Sequence, residues 1–277
     1  MSSTGIDEGQ PDLSRKQRRD AARAQRKAAE QVVLATAARR TRLTQLGIVL
    51  AVVVVGIVAV LIATGGGEKK GIPSSPTGQQ GVTKEVSSLV AGIPQNGNVL
   101  GSPTAPVTLQ YFGDLECPVC RQFTLSALPS IVQRSVRGGQ LKIEYRSMET
   151  ATREPEVFKA QQVAALAAGR QKKMWNFVET FYHEQGEEDT GYATESYLQG
   201  IAKQVPGLNL SQWTSARSEV ALASQVASDG QAANSAGLKG TPAFLIGRSG
   251  GAMKQFEPSS LTEAGSFTEA VEKLVKS

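Results

Sequence analysis

The strongest constraint on this chain is a run of eighteen residues without a charge, Leu46–Ala63, reading LGIVLAVVVVGIVAVLIA. A helix of that length spans about 27 Å, close to the roughly 30 Å hydrocarbon core of a bilayer. A helix buried in a protein core would keep a polar face, and this run has none. The other alternative is a cleaved signal peptide, with a short basic region and an apolar stretch of about 7–15 residues. Here 45 residues come first, and no clear small-x-small cleavage site precedes Thr64. We therefore expect a retained, single-pass transmembrane anchor. Arg39, Arg40 and Arg42 lie before the run and only Lys69 and Lys70 closely follow it. That bias puts the N-terminus in the cytoplasm and the rest of the chain outside the cell membrane.

Charge follows the same division. Residues 1–45 hold ten Lys/Arg and five Asp/Glu, and so carry the whole net charge of +5; the remainder holds twenty of each sign. The part beyond the anchor therefore has no electrostatic footprint for nucleic acid. The basic tail reads as a solvated orientation signal. Hydrophobic residues at 40% and charged residues at 20% exclude a wholly disordered chain. Two cysteines are too few for a disulfide-stapled scaffold, and one histidine excludes a multi-histidine metal site.

Residues 64–91 are rich in Gly, Ser, Pro, Gln and Lys and are expected to form a flexible tether. The folded domain is expected over 92–277. Val107–Phe112 reads as a strand, followed by a helical run to about Val136 and an alternating strand at Leu141–Tyr145. Helical periodicity fills about 153–236. Strand character returns at Pro242–Ile246 and around Met253–Phe256, and Phe267–Leu274 closes as an amphipathic helix. This order predicts an α/β layer fold with a helical insertion.

The two cysteines lie three apart, in Cys117-Pro118-Val119-Cys120, between the first strand and the first helix. A helix start offers unpaired N–H groups and the positive end of the helix dipole, and both favour a thiolate. The thiolate is the attacking form, so Cys117 gains reactivity as its pKa falls. Cys120, one turn on, can resolve the mixed disulfide intramolecularly. Pro118 at the first helical position costs no hydrogen bond. By position, Cys117 should be exposed and Cys120 buried. A structural disulfide would close too small a loop to constrain the unfolded chain. A zinc half-site lacks a second cysteine pair. A thiol module holding Cu(I), or docking a partner protein, remains as a non-enzymatic alternative.

With these residues in view, the chain resembles the membrane-anchored DsbA-like thiol–disulfide oxidoreductases of the thioredoxin superfamily. The resemblance rests on VLGSPTAPVTLQYFGDLECPVCRQF, on Leu128-Pro129 and on GTPAFLIG, and covers about 92–277. It implies a thioredoxin-like fold with a helical insertion, behind one transmembrane helix. It also implies a helix bent at Pro129 and a cis-proline at Pro242 facing the cysteines, with Thr241 offering backbone hydrogen bonds to an extended substrate. The implied catalytic residues are Cys117 as nucleophile and Cys120 as resolving thiol, with no metal and no cofactor beyond the Cys117–Cys120 redox pair. The implied partners are exported cysteine-containing proteins and a quinone-linked membrane protein that recycles the pair. The expected direction is oxidation, with a reductase or isomerase as the runner-up. The family often places an acidic residue six positions before the first cysteine; this chain has Tyr111 there, which packing alone also explains.

The other candidates read as structural. Asp114 and Glu116 are expected to be solvated loop carboxylates, with Glu116 opposing thiolate formation at Cys117. His183 is expected at the surface, and Trp175 and Trp213 in helix packing. Asn209 is either the head of a glycosylation triplet or a helix start.

Overall fold

The computed structural model describes residues 76–276. The tail, the apolar run and residues 64–75 lie outside them. Among the described residues no helix is long and apolar enough to cross a membrane.

The first element is helix α1, Pro76–Val90, where a flexible tether was expected. Val82, Val86, Leu89 and Val90 recur at helical spacing, and Val86 and Val90 are buried. That apolar stripe gives the helix a face to bury, which a count of Gly, Ser and Gln does not register. The Arg137 guanidinium donates to the carbonyls of Leu89 and Ala91 at 2.9 and 2.8 Å, satisfying the last turn. The domain therefore begins before Gly92.

Two short strands follow, β1 (Gln95–Asn96) and β2 (Val99–Leu100). Then come β3 (Val107–Gly113), α2 (Pro118–Ile131) and β4 (Leu141–Ser147). The helical insertion holds α3 (Pro155–Gly169), α4 (Met174–Glu184), α5 (Glu195–Gln204), α6 (Leu210–Ala216) and α7 (Val220–Ser235). The chain ends through β5 (Ala243–Arg248), β6 (Lys254–Gln255) and α8 (Gly265–Lys276). The six strands lie in the order β1-β2-β4-β3-β5-β6. Only β3 and β4 pair in parallel, joined by the α2 crossover; every other pairing is antiparallel. The thioredoxin-like α/β fold with its insertion is thus present.

Strand β3 is central and buried on both faces, with Tyr111 in register with Tyr145 on one side and Phe244 on the other. Tyr111, Phe123, Tyr145, Phe244 and Phe267 form an aromatic core with ring centroids 4.8–5.6 Å apart. Gly113, at the end of β3, is needed for this packing. A β-carbon there would stand 2.9 Å from Tyr145 Cε2 and 3.2 Å from Tyr111 Cζ, both on buried rings. Gly113→Ala should therefore cost about 1–3 kcal/mol, read as a lower denaturant midpoint. An unchanged midpoint would mean that the rings move freely.

Pro129 lies inside α2. The missing N–H interrupts the hydrogen-bond ladder, and the helix continues as a π-helical turn over Val132–Val136. Trp175 and Trp213 are buried, with indole N–H groups donating to Asn98 O and Ala164 O. Asn209 caps α6, accepting from the Gln212 N–H, so the helix-start reading applies. His183 is half-buried rather than at the surface, and that burial lowers its pKa.

Candidate active site

Cys117 is the N-cap of α2, in extended backbone conformation, and its sulfur accepts the Cys120 N–H at 3.3 Å. The local sequence dictates this: Pro118 begins the helix without a donor, and the cap position is left to a side chain that can accept. Across from it lies the Thr241-Pro242 segment before β5, whose peptide bond is cis. The Cys117 thiol donates to Thr241 O at 3.4 Å, a contact bridging 124 positions of sequence. The structure thus brings Cys117, Cys120, Thr241 and Pro242 together.

Burial differs from expectation at one thiol. Cys120 is 0% exposed, but Cys117 is also covered, at 5%. The Thr241 loop lies over the helix start, and Val119, 40% exposed, takes the outward position instead. Both cysteines are free.

The two sulfurs are driven apart in acidity. A hydrogen bond from the Cys120 thiol pulls Cys117 down from 9.0 to about 6, outweighing its own burial; the Thr241 side chain and the N–H groups of Cys120 and Val119 add to the effect. Burial pushes Cys120 well above 9.0, and the neighbouring Cys117 adds to that. Cys117 can thus serve as a nucleophile and good leaving group near neutral pH, with Cys120 holding its proton. The rate of Cys117 alkylation by iodoacetamide should rise with a midpoint near pH 6. A midpoint near the ordinary thiol value would remove the cap argument. The sign for stability follows from the same shift. Cys117 binds its proton less tightly in the fold than in the open chain, so its contribution to the reduced protein is present above the open-chain pKa. It is lost as pH falls through about 6.

Two carboxylates differ from the solvated reading. Asp114 is fully buried. One of its oxygens accepts the Glu116 N–H and the Thr152 hydroxyl, and the other accepts the N–H groups of Thr150, Ala151 and Thr152 at 2.9–3.0 Å. Thr150 then shares a hydroxyl–hydroxyl hydrogen bond with Thr241. Asp114 is therefore a positioning residue: it holds the loop that holds Thr241. Glu116 is 4% exposed and paired with Gln161, and burial raises its carboxyl, which works against a full negative charge beside Cys117. Gln185 donates to the carbonyls of Leu115 and Cys117, at 2.7 and 3.1 Å. Asp114 had one local signal, the Asx turn it makes with the N–H two positions on, that of Glu116. Gln185 had none.

Tyr111 occupies the seat where the family often has an acid. Its hydroxyl meets Thr124 Oγ1 and the Tyr182 hydroxyl, each at 3.2 Å, and Tyr182 donates to Asp114 O at 3.1 Å. Burial, and then the proximity of Cys120, raise the Tyr111 phenol. A phenol that keeps its proton supplies packing here and not a base.

Beside the pair runs a cleft of about 470 Å³ between the Gly237–Phe244 segment and residues 255–261. Val119, Leu238, Pro242, Phe256 and Leu261 give it apolar walls, with Lys239 and Glu257 also in its lining.

The family model described as thioredoxin matches residues 94–261. The chain belongs to the thioredoxin family. Disulfide bond formation protein D of Bacillus subtilis (strain 168) is 25% identical over 171 residues, which is 59% of this chain and 74% of that protein. A probable disulfide bond formation protein D of Bacillus anthracis is 23% identical over 148 residues, covering 53% and 68%. Among solved structures, oxidised BdbD from Bacillus subtilis superposes with a TM-score of 0.56 at 22% identity, covering 68% of this chain and 98% of that one. The α-DsbA1 of Wolbachia pipientis gives 0.53 at 18% identity, covering 67% and 92%. These structural likenesses place the thioredoxin-family domain in a DsbA-like fold, helical insertion included.

Proposed function

We propose that the chain oxidises cysteines of exported proteins outside the cell membrane through Cys117 and Cys120, anchored by Leu46–Ala63. That it is a protein-disulfide oxidoreductase follows from its family, its DsbA-like fold and its kinship with disulfide bond formation proteins. The finer reading rests above all on one observation, Cys117 as the N-cap of α2 with its sulfur accepting the Cys120 N–H at 3.3 Å, an arrangement that draws its thiol down to about 6. Stabilising that thiolate stabilises the dithiol, and so makes the disulfide a stronger oxidant.

In the proposed cycle, a substrate thiolate attacks Cys117 Sγ of the Cys117–Cys120 disulfide. The S–S bond breaks, and Cys120 leaves and takes up a proton. A second substrate thiolate then attacks the substrate sulfur of the mixed disulfide and expels Cys117 as a thiolate. Two electrons pass from two substrate thiols to the pair. A quinone-linked membrane partner would take them away again. The Thr241 backbone and the adjoining apolar cleft suit an extended substrate segment, with the Pro242 turn holding the backbone edge open.

Equilibration of the Cys117–Cys120 pair against glutathione, with each state trapped by alkylation, tests the direction. Known pairs run from about −120 mV for a strong oxidant to about −270 mV for thioredoxin. The pair should lie less negative than about −200 mV. A thioredoxin-like value would sink the oxidase reading and favour a reductase.

A further inference from the structure

The end of α4 is tied to the turn that presents Cys117. Residues Asp114–Cys117 form that turn, closed by the Cys117 N–H on Asp114 O at 3.1 Å. The Tyr182 hydroxyl donates to the same Asp114 carbonyl at 3.1 Å. The Gln185 side chain donates to Leu115 O at 2.7 Å and to Cys117 O at 3.1 Å. One amide nitrogen thus spends both its hydrogens on two carbonyls of the turn. In the other direction Arg121 of α2 donates from Nε to Tyr182 O at 2.8 Å. That bond satisfies a carbonyl at the end of α4 and sets a cation against its dipole. These contacts bridge 61–70 positions of sequence, so the helical insertion reaches back onto the start of α2.

The local structure leaves Gln185 little freedom. It is the C-cap of α4, buried, where the chain leaves helical geometry. Gly186 follows, and a β-carbon there would stand 2.6 Å from the Tyr192 ring, so the chain turns directly against that ring. On the other side, Cys117 O also accepts the Arg121 N–H at 3.1 Å, the bond that opens α2. Gln185 therefore grips the one carbonyl on which the helix start depends. The alignment of Cys117 Sγ with the Cys120 N–H depends on how the same residue's backbone is turned.

We propose that Gln185 is a positioning residue, through which the helical insertion holds the Cys117 thiolate in its cap and sets the oxidising strength of the pair. The inference deepens the dithiol reading of Cys117 and Cys120 and rests on it. Gln185 acts through the backbone: its amide hydrogens fix two carbonyls of the turn and place partial positive charge beside Cys117. Without them two carbonyls lose a donor and the cap is free to turn away from the Cys120 N–H. The thiolate bears that loss more than the disulfide, because only the reduced state carries charge at Cys117. The reduced state is then weakened against the oxidised one, and the pair becomes a poorer oxidant.

The test uses the full chain in detergent and three variants, each read by the pH profile of Cys117 alkylation, by equilibration against glutathione and by urea denaturation. Gln185→Met keeps the length of the side chain and removes both donors. Its alkylation midpoint should rise by about half a unit to one unit, and its equilibrium constant with glutathione should shift about threefold to tenfold toward the disulfide. Tenfold corresponds to a potential about 30 mV more negative. Tyr182→Phe, which removes one donor and keeps the ring, should move both readings the same way by less. Thr180→Val removes a buried bond within α4, to Asn176 O, that does not touch the turn. It should lower the urea midpoint and leave both Cys117 readings at the parent's values. A folded Gln185→Met with the parent's midpoint and potential overturns the role of Gln185 and leaves the dithiol reading standing. Should that variant not fold, Tyr182→Phe decides, and parent values there overturn the proposal. Equal shifts in Thr180→Val would show general loosening and overturn it too. A parent whose Cys117 shows no thiolate midpoint near 6, with no shift in any variant, overturns the dithiol reading and the proposal with it.

Discussion

Cys117→Ser should lower disulfide transfer to a reduced test protein by about 10³-fold or more. A serine hydroxyl neither ionises near neutral pH nor forms a disulfide, so no step of the cycle survives. Cys120→Ala should behave differently. Its Cys117 keeps the backbone donors of the cap and can still attack, but the resolving thiol is gone. Covalent complexes with cysteine-containing proteins should then accumulate and be released by dithiothreitol. The Cys120 side chain is also the largest influence lowering Cys117, so the alkylation midpoint of this variant should move up from about 6. Comparable trapping by Cys117→Ser would reverse the assignment of the two thiols.

Asp114→Ala should be the most damaging single change outside the dithiol. It leaves the buried N–H groups of Glu116 and Thr152, and the partly buried ones of Thr150 and Ala151, without their acceptor. At about 1–3 kcal/mol for each unsatisfied donor, with some rescued by water, the loss should be about 4–6 kcal/mol. Against a total of about 5–15 kcal/mol for a domain, that is severe. Urea denaturation measures it directly. Asp114→Asn, which keeps one acceptor oxygen, should lose less. In that milder variant the Thr150–Thr241 link should loosen, and the Cys117 alkylation midpoint should rise. A denaturation midpoint equal to the parent's would show that the loop does not depend on the carboxylate.

These two predictions differ in how far the sequence reveals them. The dithiol was legible because its determinants are local: a strand, a Cys-Pro start and a helical turn lie within a dozen residues. The strands at Val107, Leu141 and Ala243 were legible too, through alternation or a dense run of β-formers. Asp114 was not, because four of its five partner atoms arrive from residues 150–152, far along the chain. Helix α1 was obscured by polar residues, although Val82, Val86 and Val90 carried its period. The cover over Cys117 depends on a loop beyond the insertion, which no local pattern announces. Strands β1 and β2, two residues each, are too short to show a period at all.

The separation of Cys117 from Thr241 also sets an order of events. The two lie 124 positions apart, and β5, which carries Thr241 to its place, pairs with β3 only after the five-helix insertion has been accommodated. Contacts so distant in sequence form late, because the loop between them must close first. A chain still being synthesised would carry the cysteine pair long before it carried the loop that covers and tunes it. A catalyst of disulfide chemistry built this way matures from its C-terminal end, and its Cys117 thiol comes under full control only when the segment carrying Thr241 and β5 has been delivered.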